Sequence, residues 1–180
     1  MADEFLLGET TTFPSSYTTY DRFYLFRYQA TKTAIVHSLR VCRSITHTGT
    51  AKIAIYADNA GEPGARLDAV DTATTLDAGW NTIPISDVSI TSGTYYWIGI
   101  NTSDIGLVVG ASGTCTRRYK IATYSTFSFP NPAGSGFSSA TDNLLGLAGW
   151  GALPISGAKV GLVGAGLVGS YSSLSKGQLM

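Results

Sequence analysis

Apolar and polar residues alternate along much of the chain, in short runs separated by turn-forming residues. Between residues 51 and 57, an apolar residue recurs at every second position, with Lys52 and Tyr56 between them. A period of two is that of a β-strand with one buried face. Clusters of Gly, Asn, Asp or Pro interrupt such runs about every 8 to 12 residues, and no segment has an apolar period of 3.6 over a helical length. The pattern predicts an all-β protein.

Several runs predict individual strands. Residues 95–101 are apolar on both faces apart from Gly99, which indicates a strand buried on both sides at the centre of a sheet. Residues 39–41 and 51–57 predict a hairpin or a pair that crosses between sheets, joined by a turn at 46–49. Pro84 indicates an edge strand or a bulge. Shorter strands are predicted in two later runs, residues 120–129 and 142–148.

The length of 180 residues suits a single domain. We predict an antiparallel β-sandwich with extended N- and C-terminal arms. An N-terminal arm with the first strands covers residues 1–32, the sandwich body covers 33–150, and a Gly-rich C-terminal arm covers 151–180.

Charge is scarce and balanced. Charged residues make up 13% of the chain and the formal net charge is zero, whereas soluble domains average about 25% charged residues. Nucleic-acid binding needs many positive charges on one face, so we expect no nucleic-acid partner. The one basic cluster, Arg117, Arg118 and Lys120, is interpreted as a solvated loop or a partner contact. No run of about 18 apolar residues occurs, so we expect no membrane span.

Motifs for catalysis or cofactor binding are incomplete. Residues 164–169 match G-x-G-x-x-G, but dinucleotide binding also requires a βαβ unit and an acidic residue about 20 positions later. We therefore expect no cofactor. Asp58 and Glu62 lie in a turn-rich stretch, residues 57–64, where calcium binding is a minor alternative to solvated turn carboxylates. The two histidines, the two cysteines and the other carboxylates form no catalytic or metal-binding motif, so we expect no enzyme, no metal and reduced thiols.

Four segments of the chain carry a resemblance to a known family. Residues 49–59, 61–64, 78–83 and 93–100 resemble the jelly-roll, carbohydrate-binding-module-like β-sandwich domains of bacterial surface proteins and phage structural proteins. The resemblance covers about residues 33–102. It implies a jelly-roll-like module without catalytic activity, which binds a glycan or decorates an assembly.

Aromatic residues are the one enriched class with binding potential. The chain has 10 Tyr, 7 Phe and 3 Trp, and exposed rings stack on sugars and occur often at protein interfaces. Trp80 and Trp97 are predicted to anchor the core. Residues 13–28 hold a dense aromatic group, and we expect part of it to face a partner; its members are Phe13, Tyr17, Tyr20, Phe23, Tyr24, Phe26 and Tyr28.

These observations favour a structural protein of a phage-like virion, a capsid decoration or tail-associated protein. We expect other virion proteins and further copies of the chain as partners, and a glycan as a further ligand. The acidic start of the chain does not resemble a signal peptide, so we expect synthesis in a host cytoplasm and residence in the virion. The alternative is an extracellular carbohydrate-binding module or adhesin domain. The expected assembly contacts are apolar residues near the two ends: Phe5, Leu6, Leu7, Leu162, Val163, Leu167 and Val168.

Overall fold

The computed structural model describes residues 3–11, 16–17, 20–104 and 108–154. Within these ranges the chain forms eleven β-strands and no helix, which confirms the all-β prediction. The strands are β1 (Glu4–Gly8), β2 (Ser16–Tyr17), β3 (Arg22–Gln29), β4 (Ala34–Arg43), β5 (Thr50–Asn59), β6 (Glu62–Thr75), β7 (Gly79–Ile90), β8 (Tyr95–Thr102), β9 (Val108–Ile121), β10 (Ser138–Leu145) and β11 (Leu147–Ala152).

Two antiparallel sheets pack face to face. Sheet A has the order β1-β11-β4-β7, and sheet B has the order β10-β9-β3-β8-β5-β6. Strand β9 joins them, because Val108 pairs with the end of β4 while the last five residues of β9 pair with β3. This arrangement confirms the predicted antiparallel β-sandwich.

The order of the strands is that of a jelly roll. Without β2, β9 and β10, eight strands remain. In chain order these are β1, β3, β4, β5, β6, β7, β8 and β11, numbered here 1 to 8. In these numbers the order of sheet A is 1-8-3-6 and that of sheet B is 2-7-4-5. This is the connectivity of a double-sheet jelly roll. The hairpin of β9 and β10 extends sheet B beside β3.

The main core lies between the two sheets. Its centre is built from residues at alternate strand positions, such as Leu39 and Val41 on β4 and Ile53 and Ile55 on β5. Leu6 and Leu7 of β1 are fully buried in the same cluster. Strands β1 and β3, the first strands expected within residues 1–32, are paired in sheets A and B.

A second apolar cluster lies on the outer face of sheet B. It is covered by residues 122–137, which connect β9 to β10 and which we call the cover loop. The buried members of this cluster are Phe23, Leu25, Ala54, Tyr56, Trp97, Phe129 and Ala133. Phe127 and Phe137 pack against it, and their rings lie 5.0 and 5.5 Å from the ring of Phe23.

Side chains of sheet B hold the backbone of the cover loop. Lys52 Nζ donates to the carbonyl oxygens of Tyr124 and Phe127, at 3.0 and 2.5 Å. The hydroxyl of Tyr56 donates to the Pro130 carbonyl at 2.9 Å, and its burial raises the pKa of Tyr56. These bonds satisfy backbone groups that a strand would satisfy through a neighbouring strand.

This loop explains one wrong prediction. Residues 120–129 do not form a strand, because β9 ends at Ile121 and the cover loop begins there. The second late run, residues 142–148, is divided at Gly146 between β10 and β11, which belong to different sheets.

Other strand predictions are confirmed. Strand β8 lies between β3 and β5, with Ile98 in the main core and Trp97 in the outer cluster, both at 0% exposure. Strands β4 and β5 lie in different sheets, so their connection crosses the sandwich. Pro84 lies on β7, which is one of the two edge strands of sheet A in the described residues.

The N-terminal aromatic group is mostly internal. Phe23, Tyr24, Phe26 and Tyr28 are buried, because sheet B has an apolar cluster on each of its two faces. Tyr20 is 42% exposed. Phe13 and the side chain of Tyr17 lie outside the part of the chain that the structure describes.

A substitution of Trp97 tests how much the outer cluster contributes to the free energy of unfolding. Its ring is fully buried and its Nε1 donates to Asp58 at 2.8 Å. Trp97→Ala should lower the free energy of unfolding by about 3–5 kcal/mol, since it opens a cavity and removes this bond. Urea unfolding followed by circular dichroism measures the loss. Trp80→Ala is the matched control, because Trp80 is 39% exposed and should cost less than about 1 kcal/mol. Equal losses for the two variants would contradict the prediction.

Candidate functional site

The outer face of sheet A carries two tryptophans and an arginine. On β4, Leu39 and Val41 face the core, so the side chain of Arg40 between them faces outward. On β7, Ile83 faces the core, which places Trp80 on the outer face by the same period of two. Trp150 on β11 faces outward as well, since its ring stacks on Arg40.

Strand register brings these three side chains together. Arg40 pairs with Thr82 on one side and with Ala148 on the other. Trp80 is two residues from Thr82, and Trp150 is two residues from Ala148. Each tryptophan is therefore a diagonal neighbour of Arg40, at a distance that large side chains can span. We call Trp80, Arg40 and Trp150 the aromatic strip.

Two nitrogen atoms of the strip are buried without a hydrogen-bond partner in the described residues. Arg40 Cζ lies 3.7 Å from the centre of the Trp150 ring. The Nε of Arg40 and the Nε1 of Trp150 are both buried and have no hydrogen-bond partner in the described residues. An unsatisfied buried donor costs about 1–3 kcal/mol.

A small pocket opens at the strip. It has a volume of about 70 Å³ and is lined by Thr10, Arg40, Trp80 and Trp150. Trp80 is 39% exposed beside it. The surface thus combines an accessible aromatic ring with a cation and a hydroxyl, the groups that stack on a sugar face and bind its oxygens.

Sequence reasoning missed this site. Trp80 was expected to anchor the core, and that prediction is wrong because its position on β7 faces away from the core. Arg40 and Trp150 are 110 residues apart in the sequence, and no local motif contains both. The only local signal was the position of Arg40 between Leu39 and Val41, which on a strand makes its side chain face away from the core.

The acidic turn at residues 57–64 has an internal role. Arg27 donates to both oxygens of Asp58, at 2.7 and 3.0 Å, and Trp97 and the Gly61 backbone donate to it as well. Gly61 makes its contact from a positive φ of 89°, which glycine adopts readily. Glu62 accepts two hydrogen bonds from Arg118. Both carboxylates therefore bind arginines of the same chain.

These contacts set the pKa values of the two carboxyl groups. Burial alone would raise the pKa of Asp58, but the hydrogen bonds from Arg27, Gly61 and Trp97 outweigh it and lower the pKa. The hydrogen bonds from Arg118 lower the pKa of Glu62.

The basic cluster is divided between two faces of β9 rather than solvated in a loop. Arg117 lies over the rings of Tyr24 and Tyr119, at 5.3 and 4.8 Å. Arg118 pairs with Glu62, and Lys120 Nζ lies 4.4 Å from the ring centre of Phe137. The three charges therefore do not form one surface patch.

Metal-binding residues do not cluster in the described ranges. His37 faces Asp3 at 2.9 Å and His47 faces Asp104 at 3.7 Å, and no group of three or more His, Cys, Asp or Glu residues occurs there that could hold a metal ion. Cys42 and Cys115 form no disulfide. The same ranges contain no helix with the length and hydropathy needed to cross a membrane.

The expected assembly residues fall into two groups. Leu6 and Leu7 are fully buried in the core of their own chain and Phe5 is half-buried on β1, so the two leucines have no exposed side chain with which to contact a neighbour. The remaining four lie outside the described residues, as does the glycine motif at 164–169: Leu162, Val163, Leu167 and Val168.

Comparison with known proteins adds no assignment. No family model, no curated protein and no solved structure matches the chain.

Asp58 makes the free energy of unfolding depend on pH. Its pKa is lower in the folded chain than in the unfolded chain, where it is about 3.9. The contribution of the charged carboxylate is therefore present above about pH 4 and is lost as the pH falls through the folded value. Asp58→Asn should cost about 2–4 kcal/mol at pH 7, since it leaves Arg27 without its partner. Urea unfolding from pH 7 to pH 2.5 should show this difference narrowing below pH 4. A difference that stays constant would contradict the assignment.

Proposed function

We propose that this chain is a non-catalytic binding module that holds a glycan on the outer face of sheet A. The observation that carries the proposal is the aromatic strip, with one accessible tryptophan and a second tryptophan stacked on Arg40 beside a small pocket. A sugar presents an apolar ring face and hydroxyl oxygens, which match the rings and donors of this surface.

The other outer face supports this location. The cover loop occupies the outer face of sheet B and buries Phe23, Tyr56 and Trp97 there. The aromatic residues of that face are therefore used for packing within the chain. The aromatic strip lies on the opposite face of the sandwich, where Trp80 remains accessible.

Binding without catalysis is the form of activity that fits the described side chains. A glycosidase needs a pair of carboxyl groups flanking the bond to be cleaved. Pocket residues Thr10, Arg40, Trp80 and Trp150 include no carboxylate, and Asp58 and Glu62 are paired with arginines.

Trp80 tests the proposal. A glycan array probed with the purified chain should give hits, and Trp80→Ala should weaken binding to them by about tenfold or more, since it removes the accessible stacking surface. Tyr95→Ala is the matched control, because Tyr95 is 38% exposed but lies on sheet B, stacked on Arg27 at 3.9 Å. The control should bind as the wild type does. An array without hits, or equal losses in the two variants, would overturn the proposal.

We propose as the second candidate a structural role in a phage-like virion, where the module contacts other virion proteins or copies of itself. Ile45, in the connection after β4, and Ile121, the last residue of β9, are each 85% exposed. Burial of either side chain at a contact with another chain would be favourable, and a net charge of zero provides no repulsion between copies. A glycan-binding face would suit a particle that attaches to a cell, so the two roles are compatible.

Light scattering coupled to size exclusion tests this second role. At about 100 μM the wild type should elute as an oligomer, and Ile45→Asp with Ile121→Asp should shift it to the monomer, because the new charges would be buried at a contact. Thr72→Asp adds a charge at an exposed polar position and should leave the oligomer intact. A wild-type monomer at this concentration would contradict self-association through these residues.

A further inference from the structure

Among the described residues, Arg40 has an aromatic ring and no carboxylate as its partner, as does Arg22 on sheet B. Arg27 pairs with Asp58, Arg66 with Asp71 and Arg118 with Glu62. In the part of the chain that the structure describes, the only partner of the Arg40 guanidinium is the ring of Trp150. No carboxylate among the described side chains pairs with its positive charge beside the pocket.

The pocket is too small for a whole sugar ring. Its volume of about 70 Å³ is well below the roughly 300 Å³ at which pockets begin to enclose drug-sized ligands. It can admit a substituent, while the ring to which the substituent belongs stacks on the exposed tryptophan. Trp80 and Arg40 are both part of the pocket wall, so one sugar can reach both.

Guanidinium geometry selects the substituent. The Trp150 ring covers one face of the Arg40 guanidinium and the Nε atom is buried, so a ligand in the pocket would reach the group through the edge formed by its two terminal nitrogens. That edge presents parallel N–H donors, which match the two oxygens of a carboxylate. A neutral hydroxymethyl group would satisfy at most part of this edge and would leave the charge uncompensated.

We infer that the glycan bound by this face is acidic, and that the carboxylate of a uronic or sialic acid residue enters the pocket and pairs with Arg40 while its ring stacks on Trp80. The inference rests on the proposed glycan-binding function. It adds the chemical class of the ligand and the side chain that selects it.

The test uses the full chain on a glycan array that includes carboxylated, sulfated and neutral sugars. Carboxylated glycans should dominate the hits, and converting the carboxylates to methyl esters should abolish binding, since esterification keeps the shape and removes the charge. Binding should also weaken as NaCl is raised from 50 to 500 mM, because salt screens the ion pair.

Two substitutions at Arg40 isolate its contribution. Arg40→Gln should weaken binding of a carboxylated hit by about 30-fold, the loss that follows from removing one partner of a charge pair. Arg40→Lys should recover part of the affinity, because it restores the charge without the paired donors. Arg22→Gln is the matched control, since Arg22 also lies over a tyrosine ring but on sheet B. It should bind as the wild type does, and melting curves should show all three variants folded.

Each other outcome decides between the two proposals. Neutral glycans that bind through Trp80 and retain their affinity in Arg40→Gln would overturn the acidic-ligand inference and leave the glycan-binding function standing. Hits restricted to sulfated sugars would also overturn the carboxylate assignment. An array without any hit would overturn both proposals together.

Discussion

Packing of the cover loop on sheet B is the contact on which the rest of this structure depends. Sheet B has apolar residues on both faces, and the outward set includes Phe23, Tyr56 and Trp97, all fully buried. Exposed to water, these large rings would form an apolar patch that favours aggregation. The cover loop removes them from water with its own rings, while Lys52 and Tyr56 satisfy its backbone.

This contact accounts for the unusual use of charge in the molecule. With 13% charged residues, the chain uses several of its charges in fixed positions near the covered face. Lys52 is itself buried and bonded to the loop, and Asp58 binds Arg27 together with the indole of Trp97. These charged groups bind partners within the chain, so they are poorly placed to bind a ligand. Arg40 lies on the other sheet, and its partner among the described residues is the ring of Trp150.

Features that depend on local sequence could be predicted, whereas features that depend on contacts between distant residues could not. Alternation of apolar residues predicted strands such as β5, a run that is apolar on both faces predicted the central position of β8, and Pro84 predicted an edge strand or a bulge. These features depend on local period and local chemistry. The cover loop was mistaken for a strand because its aromatic residues have the composition of one, while its backbone bonds come from distant side chains such as Lys52. The aromatic strip was invisible for a related reason, since it depends on the register of β4 with β7 and β11.

That dependence on register also gives the strip its value as a binding surface. Arg40 lies on a strand that is paired on both sides, and Trp80 and Trp150 come from the two flanking strands. The spacing of the three side chains is therefore set by backbone pairing before any ligand arrives, which reduces the entropy lost on binding. A ligand that contacts all three side chains would also connect three strands. Because such a ligand binds only the assembled sheet, its binding free energy adds to the stability of sheet A.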